Sequence, residues 1–116
     1  MTAAGSLSPV DLVQAQLEAY NAQDLDAYCA FFAEDILVSD LNGAIGTRGI
    51  EAYRAKYEGV FKQFPQNKVE LINRMVCGAT VIDHEKVIRS PGGESFEVIA
   101  IYTLADGKIA RVDFAK

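Results

Sequence analysis

The sequence has no tryptophan, one histidine and only two cysteines. A single histidine with scattered carboxylates is too few ligands for a tetrahedral metal centre. The cysteines, Cys29 and Cys77, stand at a spacing that fits no metal or redox motif. Each lies in an apolar run, where a thiol is expected to pack as a small hydrophobe. No stretch approaches the ~18–20 apolar residues that cross a bilayer. Met1 to Ser8 lack the basic start and long apolar segment of a secretory leader, so a cytoplasmic location is expected. Basic excess is missing too: 11 Lys and Arg face 16 Asp and Glu, a net charge of −5. An acidic surface repels phosphate backbones and anionic lipid, so nucleic acid and membranes are not expected partners. There is no glycine-rich phosphate loop and no nucleophile elbow. Neither a metal nor a cofactor is expected.

What is present is an ordinary globular composition, 50% hydrophobic and 23% charged, in 116 residues. That length suits one domain spanning residues 1–116, with one core. Ser8-Pro9 reads as a helix start, with Ser as N-cap, Pro at the first helical position and Asp11 in the first turn. Val10, Val13, Leu17 and Tyr20 follow at helical spacing, with Gln14, Glu18 and Asn21 on the wet side. Asp24 caps a second, shorter helix whose apolar face is Leu25, Tyr28, Cys29 and Phe32. Ile36 to Leu41 is a short strand before Asn42-Gly43, a pair that predicts a type I′ hairpin turn. The return, Ala44 to Arg48, is a weak strand. Gly49 opens a third helix, with Ile50, Tyr53, Tyr57, Val60, Phe61 and Phe64 on one face, and Pro65 ends it.

Beyond Asn67 the period changes. Lys68–Cys77, Ala79–Arg89, Phe96–Leu104 and Lys108–Ala115 are rich in Val, Ile, Phe and Tyr, and the breaks between them carry glycine. They read as an antiparallel meander, so the chain order is α-α-β-β-α-β-β-β-β. Phe96, Val98, Ala100, Tyr102 and Leu104 alternate with Ile99 and Ile101, leaving both faces apolar. A sheet wet on one side alternates more cleanly. One face is expected to meet the helices and the other a second subunit, in a homodimer.

Residues 12 to 43, "LVQAQLEAYNAQDLDAYCAFFAEDILVSDLNG", carry a resemblance. A helix, an Asn-Ala-x-Asp-Leu-Asp turn, a helix running into Phe-Ala-Glu-Asp and a strand bearing an acid before a turn resemble the opening of ketosteroid isomerases and their SnoaL-like relatives. "TRGIEAYRAKY" resembles that family's third helix, and "AIYTLADGKIARV" its closing hairpin. The family is the ketosteroid-isomerase branch of the nuclear-transport-factor-2-like (NTF2-like) superfamily. The resemblance implies an α+β fold, a cone-shaped roll of three helices on a curved, mainly antiparallel sheet around an apolar pocket. It also implies cofactor-free proton transfer on a small hydrophobic carbonyl compound, by an isomerase or lyase of the steroid delta-isomerase type. The family's general base falls on Asp40. Its oxyanion-hole tyrosine falls on Gln16, its acidic donor on about Ala100, and a supporting tyrosine on Tyr57.

Abstraction of a proton next to a carbonyl needs a carboxylate base and donors aimed at the developing enolate oxygen. Asp40 supplies the first and Gln16 a neutral form of the second, while Ala100 leaves room where an acid would stand. The pocket lining is expected to include Val13, Tyr20, Tyr28, Tyr53, Val98, Ala100 and Tyr102, the tyrosines giving an apolar pocket a polar end. His84 lies in "VIDHEKV", where Asp83 and Glu85 face away from His84 and Lys86. That stretch leaves open which side is inside, and His84 is a candidate pocket acid or base. Arg111 and Asp113 share a strand face and read as an ion pair at the surface or an interface. Two other readings stand beside the enzymatic one: a non-catalytic binding domain for a small hydrophobic ligand, and a protein-interaction module. A cavity containing Asp40 favours the first two over the third.

Overall fold

The computed structural model describes residues 7–116, so most of the segment Met1–Ser8, on which the expectation about a secretory leader rests, lies outside the described residues. Helix α1 is Pro9–Asn21 and helix α2 is Leu25–Ala30. The Ser8 hydroxyl accepts from the Asp11 amide at 3.1 Å, and the Asp24 carboxylate accepts from the Ala27 amide at 3.1 Å. Each cap satisfies an amide that the first helical turn leaves free. The strands β1 (Phe32–Asp40) and β2 (Ile45–Arg48) precede helix α3 (Ile50–Gln63). The meander follows: β3 Lys68–Cys77, β4 Thr80–Ile88, β5 Ser95–Ala105 and β6 Lys108–Ala115.

Three features differ from the sequence expectation. Phe32 belongs to β1 and not to the second helix, because the spacing of Tyr28, Cys29 and Phe32 serves a helix followed by a strand equally well. Nor is the β1–β2 turn centred on Asn42-Gly43. The Gly43 amide donates to the Asp40 carbonyl at 2.8 Å, Asn42 alone takes positive φ (63°), and β2 starts only at Ile45. The third concerns thiols: Cys29 is buried in the core, but Cys77 is exposed at the end of β3. A two-residue turn with both residues at positive φ does occur at Asp106-Gly107 (53° and 77°), between β5 and β6.

The six strands form one sheet in the order β2-β1-β6-β5-β4-β3. Only β1 and β6 run parallel; every other pair is antiparallel. The three helices cover the inner face. Leu12, Val13, Leu17, Tyr20, Tyr28 and Cys29 from α1 and α2 meet Ile36, Val38, Val81, Val98, Ile109 and Val112 from the strands in a continuous core. Asn21 ties α1 to the edge strand. Its amide donates to the Val69 carbonyl at 3.0 Å and accepts from the Val69 amide at 2.8 Å, so it is half-buried and not on a purely wet face. Among the described residues no helix is long and apolar enough to cross a membrane.

One irregularity positions charge. Leu71 pairs with Glu85 across β3 and β4, but Asn73 pairs with His84, so Ile72 is an extra residue in β3. A bulge of this kind switches the inward and outward phase of the residues beyond it. Arg74 is thereby set opposite Asp83, on the inner face.

Candidate functional site

Between α1, α3 and the concave face lies a cavity of about 440 Å³, within the size range of small-molecule sites. Its inner end is made by Gln16 and Tyr20 of α1, Glu85 of β4 and Tyr102 of β5; its walls include Val38, Tyr57, Val69, Val87 and Val98. The mouth lies where β1 and β6 end and β5 begins. Asp40, Lys56, Arg89, Phe96, Phe114 and Lys116 line it. Arg89 stacks on the rings of Phe64 and Phe96, 4.8 and 5.2 Å from their centroids.

Of the residues expected in the site, Asp40, Gln16, Tyr57, Tyr20, Tyr28, Val98 and Tyr102 all line this cavity. Asp40 is exposed at the mouth and not desolvated within. Four candidates lie elsewhere. Val13 and Ala100 are wholly buried core residues, and the short methyl of Ala100 is recessed between Val98 and Tyr102. Tyr53 is buried behind the lining, its hydroxyl 2.6 Å from that of Tyr28. His84 is on the outer face of the sheet, where its Nε2 meets Glu97 Oε1 at 2.6 Å. Its strand-mates Asp83 and Glu85 are the inward pair.

The tyrosines form one aromatic body. Tyr28 stands 5.5 Å from Tyr20, 5.9 Å from Tyr53 and 5.3 Å from Tyr57 between ring centroids. Such contacts add about 0.5–1.5 kcal/mol each beyond area burial. Burial pushes the Tyr57 hydroxyl up to about 12 and raises Tyr20, Tyr28, Tyr53 and Tyr102 as well. All five therefore stay neutral at physiological pH.

Neither composition nor residue spacing announces the inner polar cluster. Asp83 is fully buried and receives Arg74 Nε at 2.7 Å and Nη2 at 2.9 Å, one on each carboxylate oxygen. Arg74 Nη1 donates to Gln14 at 2.9 Å. Glu85, also buried, has no such partner. Gln16 Nε2 donates to the Tyr102 hydroxyl at 3.2 Å, and that hydroxyl donates to Glu85 at 3.4 Å. Burial, and then the neighbouring charge of Asp83, push the Glu85 carboxyl up to about 8. Tyr20 is held by a hydrogen bond from Asn67. On the outer face Arg111 Nε lies 3.0 Å from Asp113 Oδ2, and Ser39 donates to Asp113 at 2.6 Å.

Residues 13–112 match the SnoaL-like domain family. A cystatin-fold protein from Novosphingobium aromaticivorans is similar at 31% identity over 95% of this chain and 99% of that one, with a TM-score of 0.87. A proposed polyketide cyclase from Sinorhizobium meliloti is 26% identical over 94% and 100% of the two chains, with a TM-score of 0.77. A proposed ketosteroid isomerase from Kribbella flavida shares the fold at 15% identity, over 91% of this chain and 75% of that one, with a TM-score of 0.77. No curated protein matches the sequence.

Proposed function

The chain belongs to the SnoaL-like domain family, of NTF2-like fold, and from that premise we propose that its cavity takes a small hydrophobic carbonyl compound and that Asp40 removes a proton from it without a cofactor. The supporting observation is the shared cavity: an exposed carboxylate at the mouth, apolar and aromatic walls, and neutral hydrogen-bond donors at the inner end. A ligand spanning it would hold an acidified C–H near Asp40. The Gln16–Tyr102 pair would stiffen the polar end. Relatives described as a polyketide cyclase and a ketosteroid isomerase are consistent with carbonyl and enolate chemistry. Isomerisation of the steroid type is one form of it. The tyrosine and acid that the isomerases use are here Gln16 and Ala100, so any enolate must be held by other donors.

A second reading, a binding domain without turnover, is favoured by the exposure of Asp40, which leaves that carboxylate open to water. Hydration weakens a base by stabilising its charge. Exchange of a bound ketone's α-protons with solvent deuterium separates the two: it requires Asp40 in the first and is absent in the second. We further propose that the chain forms one domain and a homodimer through the outer sheet face, where Met75 is 60% and Ile99 38% exposed.

A further inference from the structure

The cavity's inner end contains a carboxyl that the proposed proton abstraction does not use. Asp83 and Glu85 occupy successive inward positions on β4. Two carboxylates side by side in an apolar interior need two positive charges, or one must keep its proton. Arg74 is the one cation among the described residues within bonding reach, and the Ile72 bulge aims it at Asp83, where both oxygens are engaged. Glu85 is left with the Tyr102 hydroxyl, itself tied to Gln16, and with apolar neighbours Val69, Val87 and Val98 along the cavity. The bonds run one way, from Gln16 to Tyr102 to Glu85. A proton on Glu85 is then the donor at the end of this chain, on a residue that lines the cavity.

We propose that Glu85 is the ligand-reading donor of this cavity, a carboxyl kept in its acid form that gives its hydrogen to an uncharged acceptor oxygen, so that the site takes ketone- or ester-type ends and turns away carboxylates. This rests on the reading of the cavity as a carbonyl site, but not on Asp40 acting as a base. Burial and Asp83 raise Glu85 to about 8, which keeps the proton in place at neutral pH. An ionised ligand end would bring a charge into the apolar end of the cavity with no free cation among the described residues there to pair it, since Arg74 is engaged by Asp83, and that desolvation is costly.

The groups facing Glu85 are few. From α1 come Gln16 and Tyr20, from α3 Tyr57, from β3 Arg74, from β4 itself Asp83, from just beyond β4 at the mouth Arg89, and from β5 Tyr102. The tyrosines are raised above their ordinary range and Arg74 is raised by Asp83, so neither the tyrosines nor Arg74 titrate near pH 8. Lys56 at the mouth is lowered by partial desolvation and is the control.

The test has two arms. In protein carrying ¹³C-labelled glutamate, the carboxyl signal missing from Glu85→Gln is followed by NMR against pH. It is expected to be that of a neutral acid at pH 7 and to titrate near 8; titration in the ordinary glutamate range near 4–5 overturns the proposal. In the second arm, 2-acetonaphthone, 1-indanone and 2-naphthoate are titrated into the wild type, Glu85→Gln, Glu85→Leu and Lys56→Met. A ketone should bind in preference to naphthoate. Its affinity should fall about tenfold per pH unit above about pH 8 in the wild type and in Lys56→Met, because only the protonated fraction is competent. Glu85→Gln, whose amide donates at any pH, should bind without that step. Glu85→Leu should lose about tenfold at pH 6. Preference for naphthoate, no ketone bound, or ketone affinity unchanged between about pH 6 and about pH 10 overturns it. All of these readings are taken without turnover, so failure of the Asp40 mechanism is seen separately.

Discussion

Asp83 and Glu85 stand two residues apart on the same face of β4, both buried, yet the one guanidinium in reach among the described residues, that of Arg74, makes two bonds to Asp83 and none to Glu85. The difference traces to one extra residue in the neighbouring strand, Ile72. It divides two chemically similar side chains into a paired anion and a retained acid, and stability should show it.

Glu85 should make folding weaken as pH rises. Its folded value, about 8, is above the unfolded one, 4.5, so the folded state holds the proton more tightly. The contribution is fully present below about pH 4.5 and is lost as pH rises through about 8, at up to about 1.4 kcal/mol per pH unit. Urea unfolding at several pH values should show this slope in the wild type and its removal in Glu85→Gln. Equal slopes in the two proteins would contradict the assignment.

Arg74→Met should cost about 3–5 kcal/mol, because it strands the Asp83 carboxylate in the core. Adding Asp83→Asn should recover a large part of the loss. Chemical denaturation of the two single variants and the double variant measures the coupling. Additive losses would mean that the bidentate pair contributes little.

The Tyr28–Tyr53 hydroxyl pair, at 2.6 Å and buried, should be worth about 1 kcal/mol. Tyr53→Phe leaves the Tyr28 hydroxyl, on the cavity wall, without its partner. A double-mutant cycle with Tyr28→Phe should therefore show a favourable coupling. Tyr53→Phe should alter ligand affinity less than Tyr57→Phe, since only Tyr57 lines the cavity.

Much of the fold could be read from period and punctuation. β3 and β6 fall at the bounds expected from Lys68–Cys77 and Lys108–Ala115, and the caps Ser8 and Asp24 hold their helices as expected. The cavity side of α1 is legible through Tyr20, on the apolar stripe, and through Gln16 beside it, which the resemblance singles out. The phase of β4 was not. In "VIDHEKV" both sides carry charge, and Val81 and Val87 on one side are balanced by Ile82 and Ile88 on the other. The buried acids face inward because Arg74 meets one of them, and Arg74 faces inward only through a bulge that no residue pattern announced. His84 was drawn to the site by its chemistry alone; the register places it opposite Ile99 on the outer face. Val13 and Ala100, expected in the lining, lie in the core behind it, because the cavity opens further toward the strand ends that carry Asp40 and Arg89.

The outer face should bring two copies together. Met75 and Ile99 are exposed there, beside Ile82 and Ile101. An interface of roughly 800 Å² per subunit would cover them. Sedimentation equilibrium should give a dimer, and Ile99→Lys with Met75→Lys should give a folded monomer. A wild type that is monomeric at high micromolar concentration would contradict this.

Asp40 as the base is tested most directly by deuterium exchange. The protein is incubated in D₂O with 2-acetonaphthone, and loss of the methyl-ketone proton signal is followed by NMR, with Asp40→Asn as the comparison. Asn keeps the size of the side chain at the exposed end of β1 and removes its basicity, so folding and ketone affinity should change little. The wild type should accelerate exchange over buffer, and Asp40→Asn should lose that acceleration by about 100-fold or more, the usual scale for a positioned base. Equal acceleration in the two proteins would contradict the role given to Asp40. No acceleration by a wild type that binds the ketone would show a binding domain instead.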